Sequence, residues 1–180
     1  MRRPISVTLM AVLLLLSPLA ASAQDNRAAL DPIAKAMGAG SVKSIQYSGS
    51  GVNFQVGQNY SPDLPWPRFV VKSFTRTVSY ETASIRDETV RTVGETPQRG
   101  GGGGGLAPGA EQRLNFSARG DFAWNTVGET VTPVPVTLGD RQLQLWTTPH
   151  GVIKMAMASN AGVQGNTFSF TSPGRFRVWG

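Results

Sequence analysis

Six consecutive glycines, Gly100 to Gly105, stand between two segments that change character at every second residue. Before them runs Ser84 to Val93. After them Gln112, Leu114, Phe116 and Ala118 share one parity, with Arg113 and Asn115 on the other. A period of two marks a strand with one buried face, so the run reads as strand, slack, strand. A phosphate-cradling loop needs G-x-x-x-x-G-K-[ST] opening a helix, and Gly105 is followed instead by Leu106-Ala107-Pro108. Pro108-Gly109 also blocks the helix that a dinucleotide fingerprint requires directly after its glycines. A domain linker would need a self-sufficient fold on each side, and each side has too few strands. Loop closure costs only about 0.6 kcal/mol per doubling of length. The expectation is one antiparallel sheet with a flexible glycine-rich loop at residues 97–110.

The same alternation recurs along the chain. Ile45 and Tyr47 alternate with polar residues, and Val52, Phe54 and Val56 do so after a Gly49-Ser50-Gly51 turn. Arg68 to Tyr80 is the longest strand candidate. Val70, Phe74, Val78 and Tyr80 fall on one parity, Phe69 and Val71 on the other. Phe122 and Trp124 continue the series, Thr130 to Thr137 reads as a proline-broken crossover, and Thr167 to Thr171 and Arg175 to Trp179 close the chain. Helical spacing occurs three times: at Leu30, Ile33, Ala34 and Met37; at Leu138, Leu143, Leu145 and Trp146; and from Val152 to Met157, behind Thr148-Pro149. The expected fold is mainly β (α+β). It is a curved antiparallel sheet or half-barrel with a few covering helices, incomplete at the C-terminus, where a strand still apolar at Val178-Trp179 stops.

The first residues are set aside from this fold. Arg2 and Arg3, the apolar run Val7 to Leu16 and the small residues Ala21-Ser22-Ala23 predict a signal peptide over residues 1–23. The run is too short and too early for a membrane span. The remainder, 24–180, is expected to be a single β-rich domain, periplasmic or secreted, with no stable span after cleavage. It holds no cysteine, so a core rather than disulfides must stabilise it. The net charge is +6, and +4 without Arg2 and Arg3. Arg76, Arg86, Arg91 and Arg113 are interleaved with Glu81, Asp87, Glu88 and Glu111. That pattern reads as a solvated sheet face rather than a nucleic-acid surface.

Chemistry-bearing groups are sparse. His150 is the single histidine, and a conventional zinc site takes three or four ligands, mostly His or Cys. No G-x-S-x-G elbow is present to pair with His150 as base, so it reads as a polar residue of a helix start. Asp87 and Glu88 fall on opposite faces of one strand. No catalytic or metal residue is therefore assigned. What remains is apolar surface: Trp66, Trp124, Trp146 and Met155, with Phe54, Phe74, Met157 and Trp179, either line a pocket for an apolar small molecule or lipid or form plain core. Trp66, between Pro65 and Pro67, belongs to the core rim or to a pocket mouth.

Several stretches in order carry a resemblance: Ser44-Ile45-Gln46-Tyr47-Ser48-Gly49-Ser50-Gly51, Pro65-Trp66-Pro67-Arg68-Phe69, Val71-Lys72-Ser73-Phe74-Thr75-Arg76, Tyr80-Glu81-Thr82 with Arg86-Asp87-Glu88, Arg141 to Trp146, and Thr148-Pro149-His150-Gly151. Together they resemble the exported N-terminal region ahead of the hydrolase domain in bacterial metallo-β-lactamase-fold proteins, a region similar to lipoprotein carriers. The resemblance implies a curved half-barrel closed by helices. It places the zinc ligands, in an H-x-H-x-D-H pattern, in a later domain that this sequence does not contain. It thus implies a non-catalytic binding or accessory module, with metal-dependent hydrolysis belonging to a longer protein. The other expectation is a free-standing periplasmic carrier of an apolar ligand.

Overall fold

A computed structural model describes residues 28–59, 61–94, 107, 109–159, 161–164, 167–171 and 177–179. The expected signal peptide and most of the glycine-rich loop lie outside the described residues. The chain divides into two compact units, Lys43–Leu145 and the residues up to Val42 together with those from Trp146. The protein is mainly β, as the alternation predicts.

The first unit is an open six-stranded antiparallel meander in the order β1-β2-β3-β4-β5-β6. Its strands are β1 (Ser44–Phe54), β2 (Arg68–Ser79), β3 (Ser84–Val93), β4 (Glu111–Arg119), β5 (Phe122–Val127) and β6 (Thr130–Pro133). β3 and β4, which flank the glycine run, are direct partners, with Thr92 opposite Glu111. The sheet reaches one strand further than expected. Val131 and Thr132 pair with Thr126 and Asn125 of β5, and only then does Pro135–Thr137 turn as a 3-10 segment.

One bulge, an extra residue in β2 between Val71 and Phe74, overturns the simple parity. Gly49-Ser50-Gly51 is no turn: β1 runs straight through, and its register against β2 shifts between Gly49 and Gly51. β2 shifts against β3 between Val71 and Ser73. One extra residue reverses which side chains share a face. Phe69 and Val71 therefore join Phe74 and Val78 on one face, although their spacing put them on the other. Phe69 and Val78 are both fully buried.

That face is the core face. A row crosses five strands on it: Ile45, Val78, Ile85, Ala118 and Ala123 are successive cross-strand neighbours. All but Ile45 are buried. The helix Leu138–Trp146 docks here through Arg141 and Leu145, its two buried residues; with residues 28–36 as α1, it is α2. Of the Trp66-Pro67 pair, the proline is fully buried and Trp66 is 45% exposed.

The second unit holds α1, α3 (Pro149–Ala158) and a separate sheet of β7 (Gly162–Gln164), β8 (Thr167–Thr171) and β9 (Arg177–Trp179). The closing strands thus form a sheet of their own. Leu30 and Ala34, one helical turn apart, are the buried residues of α1. Leu30 packs with Ala156, Ala161 and Phe170, and Ala34 with Ala39 and Ile153. Burying such small side chains lets the helix backbones approach closely, and Met157 and Phe168 pack against both clusters.

Candidate functional site

The six-stranded sheet has two unlike faces. The helix face carries a polar network inside its apolar rows. Two residues along from the Val78 row, Tyr47, Arg76, Asp87, Phe116 and Asn125 form the next row. Arg76 grips Asp87 with Nε to Oδ1 at 2.6 Å and Nη2 to Oδ2 at 2.5 Å, and Nη2 also donates to Gln144 Oε1 of α2 at 2.8 Å. The hydrogen bond to Asp87 outweighs desolvation and holds the Arg76 guanidinium above its ordinary pKa. Arg141 donates from α2 to the backbone carbonyls of Ser117 (2.8 Å) and Trp124 (2.7 Å) and to Asn125 Oδ1 (2.6 Å), with its guanidinium 5.2 Å from the Phe116 ring centre. Burial pushes its pKa down, partly offset by Asp87. Arg91 lies 3.9 Å from the Phe69 ring centre and bonds Gln112, and burial lowers its pKa also. Arg76, Asp87 and Arg91 were expected on a solvated face. They are instead partly buried, because the core rows alternate with this charged row along the same face. Arg76, through Gln144, and Arg141 thus fasten α2 to the sheet.

The open face is different. Gln46, Thr77, Arg86, Ser117, Trp124 and Pro133 form one cross-strand row, and Ser48, Thr75, Glu88, Asn115, Thr126 and Val131 the next. Two adjoining depressions of about 500 and 550 Å³ lie along these rows, and Asn115 and Thr126 belong to both. Thr77, Ser117 and Trp124 line the first, with Arg86 and Arg119. Val90, Arg113 and Glu111 line the second. Two of the cations here are already neutralised: Arg86 pairs with Glu88 at 2.7 Å and Arg113 with Glu111 at 2.7 Å. Lys72 also bonds Glu111 at 3.1 Å, which with Arg113 holds that carboxyl below its ordinary range. The groove therefore presents hydroxyls, amides and one indole, with its formal charge largely balanced. Such a surface can hydrogen-bond a ligand and stack against its flat or apolar part.

The four expected ligand residues divide between the two units. Trp124 lines the open-face groove. Trp66 precedes β2, three strands away from β5 in the sheet order. Met155 packs against the Leu30 cluster as core, and Trp146 ends α2 in the second unit. The hydroxyl and amide partners of Trp124 were missed. Their common face follows only from the register of β3, β4 and β5. His150, partly buried, places Nε2 3.1 Å from the Met37 carbonyl, which fixes the proton on Nε2 and leaves Nδ1 without a hydrogen bond. It ties the end of α1 to the start of α3. Among the described residues no group of three or more His, Asp or Glu side chains is placed to hold a metal, and no helix is long and apolar enough to cross a membrane.

Fold and groove together define a class: an open antiparallel meander with a helix on one face and a polar groove on the other. No family model matches the chain, and neither does any curated protein or solved structure.

Proposed function

We propose that this chain is an exported, non-catalytic binding module, periplasmic or secreted, acting as the accessory N-terminal part of a metallo-β-lactamase-fold hydrolase-like protein. The observation that carries the binding reading is the open-face groove, where Trp124 stands among Thr77, Asn115, Ser117 and Thr126. The ordered sequence motifs supply the link to a hydrolase. The hydroxyl and amide lining favours a small molecule with both polar groups and a flat apolar portion over a lipid. Arg76, Asp87 and Arg141, the most strongly engaged charges, hold the scaffold beneath the groove and leave its surface free to bind.

Tryptophan fluorescence tests the groove. The probe is the low-molecular-mass fraction of the host envelope. The emission of the whole chain changes on mixing, and a Trp124→Phe variant loses that change. An unchanged response in Trp124→Phe would place binding elsewhere. The accessory role is tested by the size of the native polypeptide, detected with an antibody against Arg68 to Tyr80. A band larger by about 100–250 residues supports it, and a band no larger than the 19.2 kDa of this chain favours a free-standing carrier.

A further inference from the structure

We infer that β1 pairs antiparallel with the β1 of a second copy of this chain, about a two-fold axis beside Asn53. The two edges of the sheet are unlike. β6 is four residues long and ends on Pro133, the short, proline-bearing edge that resists pairing. β1 is eleven residues long, with neither a proline nor a charged side chain. All of it except Ile45 is exposed, and among the described residues only β2 pairs with it. The register shift beside Gly49 and Gly51 comes from an extra residue in β2, since two residues of β1 there face three of β2, so β1 itself stays regular along its length.

The backbone determines which groups point outward. The Gln55 N–H donates to the Pro67 carbonyl at 3.0 Å, so Gln55 faces β2. The direction reverses at each residue along a strand, so Phe54 and Val52 turn their N–H and C=O groups to the open edge, and Asn53 turns its own inward. Directly opposed residues of antiparallel strands exchange both bonds. An axis beside Asn53 sets Val52 opposite Phe54 of the second copy, and Phe54 opposite its Val52, with all four backbones outward-facing.

The side chains agree with that register. Val52 and Phe54 share the open face and are 46% and 50% exposed, and Val70, the neighbour of Val52 on β2, is 39% exposed. An aromatic residue opposite a β-branched one is a favourable cross-strand pair. With no charge on β1, the two-fold brings no like charges together. A foreign strand could lie on this edge, but self-pairing gives each Val52 its Phe54 with nothing further required. That symmetry is why the occupant is a second copy.

The chain has no cysteine, so single-cysteine variants report the register directly. Asn53 opposes itself in a non-hydrogen-bonded pair, where Cα atoms lie about 4.5 Å apart, inside the roughly 4.4–6.8 Å span of a disulfide. Under mild oxidation Asn53→Cys forms a disulfide dimer at least ten-fold faster than Ser48→Cys, which sits on the same exposed strand but away from the axis. The unmodified chain sediments as a concentration-dependent dimer, and Val52→Lys, shown folded by circular dichroism, sediments as a monomer. Equal cross-linking of the two variants, or a wild-type monomer at every concentration, overturns the inference. Capture of the edge by a foreign strand while the wild type stays monomeric also overturns it.

Discussion

Asp87 holds Arg76 from directly across the β2–β3 ladder, through two hydrogen bonds of 2.6 and 2.5 Å, with only 14% and 17% of the respective side chains exposed. The pair sits one row from Val78 and Ile85 and also reaches Gln144 of α2. Removing one partner strands the other in partial burial. Asp87→Ala is expected to lower unfolding stability by about 2 kcal/mol. The double replacement Arg76→Met with Asp87→Leu costs less than either single change, because no charge is left unpaired. Urea denaturation of the three variants measures both.

Arg141 docks α2 by geometry as much as by charge. Its Nη1 reaches two strand carbonyls at 2.8 and 2.7 Å while Nη2 reaches Asn125 at 2.6 Å. A lysine ammonium cannot reproduce that planar fork. Arg141→Lys should cost about 1–2 kcal/mol and speed hydrogen exchange in α2 while leaving the β2–β3 amides protected. Unchanged exchange in α2 would assign the docking to Leu145 instead.

Gly94 is demanded by close approach. A Cβ there would run into the Arg68 carbonyl oxygen, the same oxygen that accepts the Gly94 N–H at 2.8 Å. Gly94→Ala is expected to destabilise by about 1–3 kcal/mol. Gly40→Ala, where nothing lies within 4 Å of the added methyl, stays within roughly 0.5 kcal/mol of wild type. Thermal unfolding of the two separates steric demand from a general effect of adding a side chain.

Glu111 titrates below its ordinary range, first because Lys72 hydrogen-bonds it and then because Arg113 lies beside it. A depressed folded-state value stabilises the fold above the unfolded value, about 4.3. That contribution fades as pH falls through the folded value. An NMR titration should therefore find the Glu111 midpoint below about 4.3, and Lys72→Met should raise it.

Much of the architecture was legible because most strands are bounded by turn residues and alternate between them. Leu138 to Trp146 and the Thr148-Pro149 boundary were readable from helical spacing and from a proline at a first turn. Residues that depend on register were not readable. Nothing in Arg68 to Tyr80 announces the slip between Val71 and Ser73 that moves Phe69 and Val71 to the face of Val78. Gly49-Ser50-Gly51 has the composition of a turn, and cross-strand pairing with β2 keeps it in continuous strand. Trp124 was recognisable as a candidate by type. The grouping of Thr77 with Asn115 and Ser117 was not, since it forms only across β2, β3 and β4. The burial of Arg76 and Asp87 was hidden for the same reason: charge alternation along one strand does not reveal that a helix covers it.

Binding of a small molecule at Trp124 on the open face is the proposal on which the functional reading rests. Native mass spectrometry of gently purified wild type and a Trp124→Ala variant tests it most directly. The expected result is a discrete adduct at one per chain on the wild type and its loss from the folded variant. A bare wild-type chain, or an adduct that Trp124→Ala retains, would contradict it.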